Sequence, residues 1–481
     1  METNRTVLSP GLRIARNALY LSISEVGVRA ITAVVAILVA RYLGPENYGL
    51  LSIALALAGI GGYLTDLGVT PVMIREGTKA GAPIPRVLHS ALRLRLIFAL
   101  GATVVMAAVA WFYYPTPLAR LAILIVVLPA IWAGIFRGLS SGYFQMMQEM
   151  QYTALINGVS AIAGAVVLLF GVLFRWPFSL LALGYGGSAV VGGALGILLL
   201  RQKVQIEKGW HPGLVQGLWA FTLGGGLGLL LPQLGPLILP HAAGLEETGF
   251  FSAAFRILGA LLVIPGVVAT AFYPHLFALA AQDRERHLAL SLRELRISGT
   301  IGLVVAVPLA LHARGVVGLL FGPEWVERTG EALILLCGSL ALAGLSWPLA
   351  DALTTQGLQT YRTAITGVLV ILGAAGYWVG GRRLGVFGGA LAALLVEVGA
   401  ALGFLLANPR WRALVRRGMV PWAVKALLLV PVAWGCKWFL GSGLLALFVE
   451  AVAVSGVALI LDRELRHEMQ LVLRGARRLF F

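Results

Sequence analysis

The sequence predicts an all-α integral membrane protein of about fourteen transmembrane helices, built as two six-helix lobes in a parallel pseudo-twofold repeat with two extra C-terminal helices. Three observations predict it: the composition, a succession of apolar runs, and the alternation of basic residues from one side to the other. Of 481 residues, 59% are hydrophobic and 12% charged, against roughly 45–50% and 25% in soluble domains. Mean hydropathy is +0.88. Too little polar surface is left to cover a water-soluble globule of this size. In lipid only helices and closed barrels satisfy the backbone. A barrel would alternate in segments of ~10 residues, whereas an α-helix needs ~20 apolar residues to cross ~30 Å of hydrocarbon.

The apolar runs fall near 17–40, 49–69, 91–112, 117–139, 151–174 and 177–200, then 214–240, 249–277, 295–313, 331–353, 361–380 and 385–407, with two more near 420–440 and 442–461. The first, preceded by Arg5, Arg13 and Arg16, is too long for a signal-peptide core and reads as a span. With the N-terminus placed in the cytoplasm, 26 of the 37 basic residues fall on the inner side and 8 on the outer. The positive-inside rule therefore supports an even number of spans with both termini cytoplasmic. The inner set includes Arg75, Lys79, Arg86, Arg93, Arg95 and Arg137, and Lys425 is expected to snorkel to the same interface. The net charge of +16 points to cytoplasmic loops and anionic lipid, not to nucleic acid. Cys337 and Cys436 match no disulfide or metal spacing. Trp111, Tyr113, Tyr114, Trp176 and Trp325 lie where an outer aromatic belt is expected.

An internal repeat divides the chain. Residues 44–54 and 244–254 share Gly44/Gly244, Glu46/Glu246, Gly49/Gly249, Ser52/Ser252 and Ala54/Ala254, each pair entering the second span of its half. A weaker echo pairs 152–159 with 361–368 at the start of each fifth span. A six-span unit is even, so both halves enter the membrane in the same sense, with substrate expected between lobes that open alternately to each side. The lobes are expected at 1–208 and 209–408, followed by two spans and a basic cytoplasmic tail at 409–481. Gly224, Gly225 and Gly226 with Pro232, Pro236 and Pro240 make span seven a bent helix and a candidate hinge.

The run Leu43-Gly44-Pro45-Glu46-Asn47-Tyr48-Gly49, followed by Leu64-Thr65-Asp66-Leu67-Gly68 and Arg75-Glu76, resembles the start of polysaccharide-biosynthesis flippases. These belong to the multidrug/oligosaccharidyl-lipid/polysaccharide exporter superfamily. The resemblance implies a flippase that carries a polyprenyl-diphosphate-linked oligosaccharide from the cytoplasmic to the outer leaflet of a bacterial or archaeal cytoplasmic membrane. It implies membrane lipids, a polysaccharide polymerase and glycosyltransferases as partners. An ion-coupled multidrug exporter of the same superfamily is the alternative, and a scaffold or polymerase subunit a third.

Ionisable groups inside spans are costly and mark function. Glu25 and Arg29 lie four apart on one face of span one; on one reading Arg29 is expected in a cavity wall to meet an anionic substrate group, with Glu25 holding it while the site is empty. A plain helix-locking ion pair is the other reading. Arg256 lies two turns into span eight with no acid three or four residues away, so its partner must come from another element. Guanidinium forks match phosphate oxygens and stay charged when buried. By resemblance, lipid II flippases place essential arginines on spans one and eight, where Arg29 and Arg256 stand. Residues 50–65 hold no basic residue to match their second-span arginine. Asp66, Asp351 and Glu397 are candidates for ion coupling or gating by H+ or Na+, or for pairing with other helices. Glu450 reads as structural. No cofactor, metal site or catalytic residue is expected: there is no phosphate-binding Gly-rich loop with Lys and Ser/Thr and no His-Glu-x-x-His pair.

Overall fold

The computed structural model describes residues 10–114, 116–441, 443–462 and 466, with side chains from residue 27 onward except at 29, 30, 220, 440 and 444. All regular structure among them is helical. The first half consists of α1 (Pro10–Asp66), α2 (Val69–Gly77), α3 (Ile84–Tyr113), α4 (Pro117–Met146), α5 (Met150–Leu173) and α6 (Phe178–Lys203). A 3-10 turn at Leu231–Gln233 then separates α7 (Leu218–Leu230) from α8 (Leu234–Ala242). Then come α9 (Leu245–Leu261), α10 (Val263–Ala280), α11 (Arg284–Leu311), α12 (Ala313–Phe321), α13 (Val326–Thr355) and α14 (Gln359–Ala407). A short α15 (Trp411–Leu414) and a π-turn (Val415–Met419) lead into α16 (Val420–Leu440) and α17 (Leu444–Leu461). The chain forms two compact units, Met1–Gln233 and Leu234–Phe481.

Local chemistry explains where helices start and break. Proline enters α3 and α4 in the first turn, where its missing N–H is harmless. Asp283 caps α11, accepting from Glu285 N and Arg286 N at 3.0 Å; the Arg286 N–H leads in holding its carboxyl below the usual range. The break expected in span seven occurs at Pro232, inside the 3-10 turn between α7 and α8. In the first unit, Thr222 Oγ1 of α7 donates to Leu67 O at 2.6 Å, and Tyr63 Oη donates to Thr222 O.

Eleven helical stretches among the described residues are long and apolar enough to cross a membrane, and Leu445–Leu461 is a shorter apolar helix. This is a multi-pass membrane protein. Fourteen crossings stay an expectation of the sequence, and the lower number has a structural cause. Two stretches each hold two expected spans: α1 runs through Gly44 and α14 through Gly385, both with non-helical backbone. Within α14 the facing pairs are Gly380 with Gly388, Gly376 with Ala392, Gly373 with Val396 and Leu369 with Gly399. That register is antiparallel, so α14 is a hairpin of two helices folded at Gly385. A Cβ on Gly388 would overlap Gly380 O; only glycine admits so close a return.

Small residues set the other helix contacts, as expected where lipid supplies little drive for association. Gly186 meets Ile125 and Val126, Gly193 meets Ala133, and Gly196 meets Phe136 and Ser140, so α6 runs parallel to α4. Gly164 meets Ser188, Gly171 meets Leu181, and Gly192 meets Ser160, so α5 is antiparallel to α6. Consecutive spans thus alternate. Between α11 and α13, Gly302 meets Ala341 and Gly344 meets Ser298, again antiparallel.

The sequence repeat reappears as backbone. Gly44 adopts φ 71°, ψ 172° and Gly244 φ 99°, ψ 172°. After each, seven consecutive residues, 48–54 and 248–254, are buried. Ser52 and Ser252, at matching positions, are 6% and 8% exposed.

Four placements correct the sequence reading. Lys425 does not snorkel: it is 7% exposed, donating to Thr300 Oγ1 at 2.8 Å and to Asp462 Oδ2. Trp325 is fully buried against Phe250 and Phe321, with ring centroids 5.5 Å away, and Tyr114 is 5% exposed, so neither belongs to an aromatic belt. Trp111 and Tyr113 are exposed, as expected. Arg95 is no loop residue but the buried centre of a polar cluster.

Positive φ, not space, demands glycine at 44 and 244, because a Cβ at either position would meet nothing within 4 Å. Gly44→Ala and Gly244→Ala should each destabilise the protein by about 1–3 kcal/mol, the cost of a glycine-only backbone region. Gly59→Ala, in open space on α1, should be neutral or slightly stabilising. Thermal unfolding in detergent compares the three.

Candidate functional site

In the first unit the chemistry gathers where α1 ends. Asp66 Oδ1 accepts from Thr70 N at 3.1 Å and Thr70 Oγ1 at 2.6 Å, and pairs with Arg95 Nη2. Arg95 comes from α3 and is 2% exposed. Its guanidinium fills the space left by Gly138 of α4, where a Cβ would collide with it. Asp66 is therefore committed to a helix-joining ion pair.

A second polar centre holds the segment that follows α6. Glu76, 3% exposed, accepts from Arg75 Nε at 3.1 Å and lies 3.3 Å from His211 Nε2; Lys79 Nζ is 2.5 Å away. Ser90 Oγ accepts from His211 N at 2.8 Å, His89 Nδ1 lies 2.8 Å from Gly209 O, and Arg75 Nη2 donates to Gln216 O at 2.7 Å. Residues 209–216 are thereby strapped to α2 and α3.

In the second unit, Arg256 stands on α9 after the buried run 248–254, itself half-buried and engaged with neighbouring groups. Glu25 and Arg29 lie outside the described residues as far as their side chains are concerned. Asp351 of α13 lies 3.7 Å from Arg362 Nη1 of α14. Glu397, on the second arm of α14, accepts from Ser346 Oγ of α13. Glu450 of α17 sits 3.4 Å from His312 Nδ1, both buried, in keeping with a structural role. No group of three or more His, Cys, Asp or Glu side chains able to hold a metal is found among the described residues.

Two groups escaped the sequence reading. Arg95 sits in Leu94-Arg95-Leu96-Ile97-Phe98, an apolar setting that marks an intramembrane arginine. Glu294 is 0% exposed, and neither of its carboxylate oxygens has a hydrogen-bond partner among the described residues. Flanking Arg293 and Arg296 disguised it as loop. The spacing His287, Ser291, Glu294, Ser298 was the available signal, since steps of four, three and four keep to one helical face.

A multi-pass helical bundle with glycine-dense contacts and charged groups paired inside it defines a polytopic, all-helical membrane protein. The profile of the family described as "Polysaccharide biosynthesis protein" matches residues 14–280, more than half of the chain. The chain belongs to that family. No curated protein matches it. Among solved structures, the lipid II flippase MurJ in an inward-closed conformation superposes with a TM-score of 0.72 at 13% identity, covering 92% of this chain and 99% of that one. A multidrug-resistance MATE family transporter of the MOP superfamily, inward-facing, gives 0.65 at 17% identity, covering 82% and 99%. A MOP superfamily transporter from Pyrococcus furiosus, described as having a binding pocket of reversed polarity, gives 0.60 at 19% identity, covering 83% and 96%. At these identities the likeness is one of fold.

Breaking a buried pair strands its partner's charge. Asp66→Asn or Arg95→Met alone should destabilise the protein by about 3–5 kcal/mol, and the double variant by clearly less than the sum. Thermal or denaturant unfolding of the four proteins in detergent measures the coupling.

Proposed function

We propose that the protein flips a polyprenyl-diphosphate-linked oligosaccharide from the cytoplasmic to the outer leaflet by alternating access, for cell-surface polysaccharide assembly. Family membership supports the polysaccharide role. Proteins sharing the fold are described in inward-facing and outward-facing conformations, which supports alternating access. The observation that carries the anionic substrate is Arg256, the basic residue of α9, set in the apolar stretch Phe255–Leu261 beyond the acidic first turn of Glu246 and Glu247. Arg29 is its proposed counterpart from the other lobe. Each guanidinium would offer a planar fork of donors to the diphosphate, while the lipid tail stays in the bilayer. The 3-10 turn at Leu231–Gln233 is the proposed hinge, since it interrupts the helical hydrogen bonding between α7 and α8. Asp351 and Glu397 remain proposed ion-coupling groups for H+ or Na+. Asp66, held by Arg95, is proposed as a gate rather than an ion carrier.

The alternative is an ion-coupled exporter of lipophilic cations. Arginines in the substrate path disfavour it, because a cation would need acids there.

Liposomes carrying a fluorescent polyprenyl-diphosphate oligosaccharide test the reading. The wild-type protein should accelerate its translocation. Arg29→Ala and Arg256→Ala should each weaken substrate affinity about 10- to 100-fold, the worth of a charged hydrogen-bonded contact, and together abolish translocation with membrane insertion intact. Normal translocation by the double variant overturns the site. Efflux of lipophilic cations without lipid translocation overturns the substrate.

A further inference from the structure

One stripe of the buried face of α11 is polar, beside the buried Leu292, Leu295 and Ile297. His287, Ser291, Glu294 and Ser298 lie on one side of the helix and are each at most 4% exposed. His287 Nε2 is 2.9 Å from Thr355 Oγ1 of α13. Below it, Ser291 Oγ, both Glu294 oxygens and Ser298 Oγ have no hydrogen-bond partner among the described residues. Four such atoms in succession along one helix are not accidental packing. Polar groups buried without partners cost free energy, and an ionised carboxylate without one costs the most.

A pocket of about 270 Å³ opens onto the top of this stripe. Arg284, His287 and Ser291 of α11 line it, with Gln356 after α13 and Asn408 and Arg410 ahead of α15. It is polar and large enough for several waters. Ser291 is the last residue of α11 in its lining, and Glu294 follows three residues later, within one helical turn.

The charges that face Glu294 come from several elements. Asp351 of α13 is near enough for the two carboxyl groups to interact, and it is shared with Arg362 of α14. Tyr273 of α10 lies beside that pair. On the pocket side stands Arg410, whose Nη1 donates to Arg284 O at 2.5 Å and whose Nη2 is 3.2 Å from Glu285 Oε1. On the α16 side, Lys425 is taken up by Thr300 and Asp462, and on the π-turn the Arg417 carbonyl accepts from Arg296 at 3.0 Å. Arg410, Lys425 and Arg296 Nε are thus engaged by the groups named, Arg293 beside Glu294 in sequence has an interaction of its own, and Asp351 repels a charge on Glu294.

We propose that Glu294 is a proton-binding site of the second unit, loaded from this pocket past His287 and Ser291. A hydronium ion in the pocket gives its proton to a Glu294 carboxylate oxygen and leaves as water, and the reverse step releases it. A proton is the ligand because it needs one oxygen. A hard metal cation takes about six or more, and the described side chains at hand, two serine hydroxyls and the Asp351 carboxyl shared with Arg362, supply fewer. The assignment holds whatever molecule the protein carries, so it stands or falls apart from the flippase reading.

Infrared difference spectroscopy tests it on the full-length protein in lipid nanodiscs, comparing acidic with alkaline buffer without any transported substrate. The wild-type protein should show a carbonyl-stretch band of a protonated carboxylic acid that titrates with pH. Glu294→Gln should lose that band, while Asp283→Asn, which changes only the exposed cap of α11, keeps it. Glu294→Asp, which retains a carboxyl if the glutamine variant fails to fold, should move the band and shift its midpoint by about one pH unit, tenfold in proton affinity. Ser291→Ala should slow proton uptake after a pH jump, with the band unmoved. A band unchanged in both Glu294 variants overturns the proposal. So does a band that responds to sodium at constant pH, which would make the ligand a metal cation.

Discussion

A charge inside hydrocarbon must find an opposite charge, a set of hydrogen bonds or water, and this constraint organises the molecule. Arg95 is fixed to Asp66 and Thr70, which ties α3 to the end of α1. Lys425 is fixed to Asp462 and Thr300, which ties α16 to α11. His312 faces Glu450, joining α17 to the far end of α11. Each pairing joins elements distant in sequence, so the few charges serve as connectors between helices whose apolar faces fit many neighbours. Such pairs contribute specificity more readily than stability, because desolvation offsets much of their attraction.

Close approach is the second condition. Where Gly186 presses on Ile125 O and Gly344 on Ser298 O, helices touch backbone to backbone. At that distance hydroxyls and carboxyls within the bundle reach one another. Ser346 of α13 reaches Glu397 of α14, on a pair of helices where Gly338 admits the Leu394 side chain. Packing thereby decides which polar residues become partners and which, like those on the buried face of α11, do not.

Much was legible in the sequence. The glycine at the start of each repeat was readable because its φ excludes other residues, and both halves show it. The broken helix at Pro232 was readable because proline removes a specific hydrogen bond. Burial was less legible. Arg95, Lys425 and Trp325 carry side chains that composition assigns to interfaces, and each is buried by a neighbour remote in sequence. Glu294 was hidden for the same reason: two adjacent arginines gave its segment the look of a loop, although the spacing of its polar neighbours was helical.

By itself the sequence determined the membrane setting, the all-helical class, the repeat and the family resemblance. These follow from local quantities: the hydropathy of ~20-residue windows, the covalent limits of glycine and proline, and short motifs. Tertiary structure alone decided which charged residues are partnered, that α14 folds back on itself at Gly385, and that a buried carboxyl stands beyond a polar pocket. The physical reason is that burial and pairing depend on distances between helices, which no local stretch of sequence encodes.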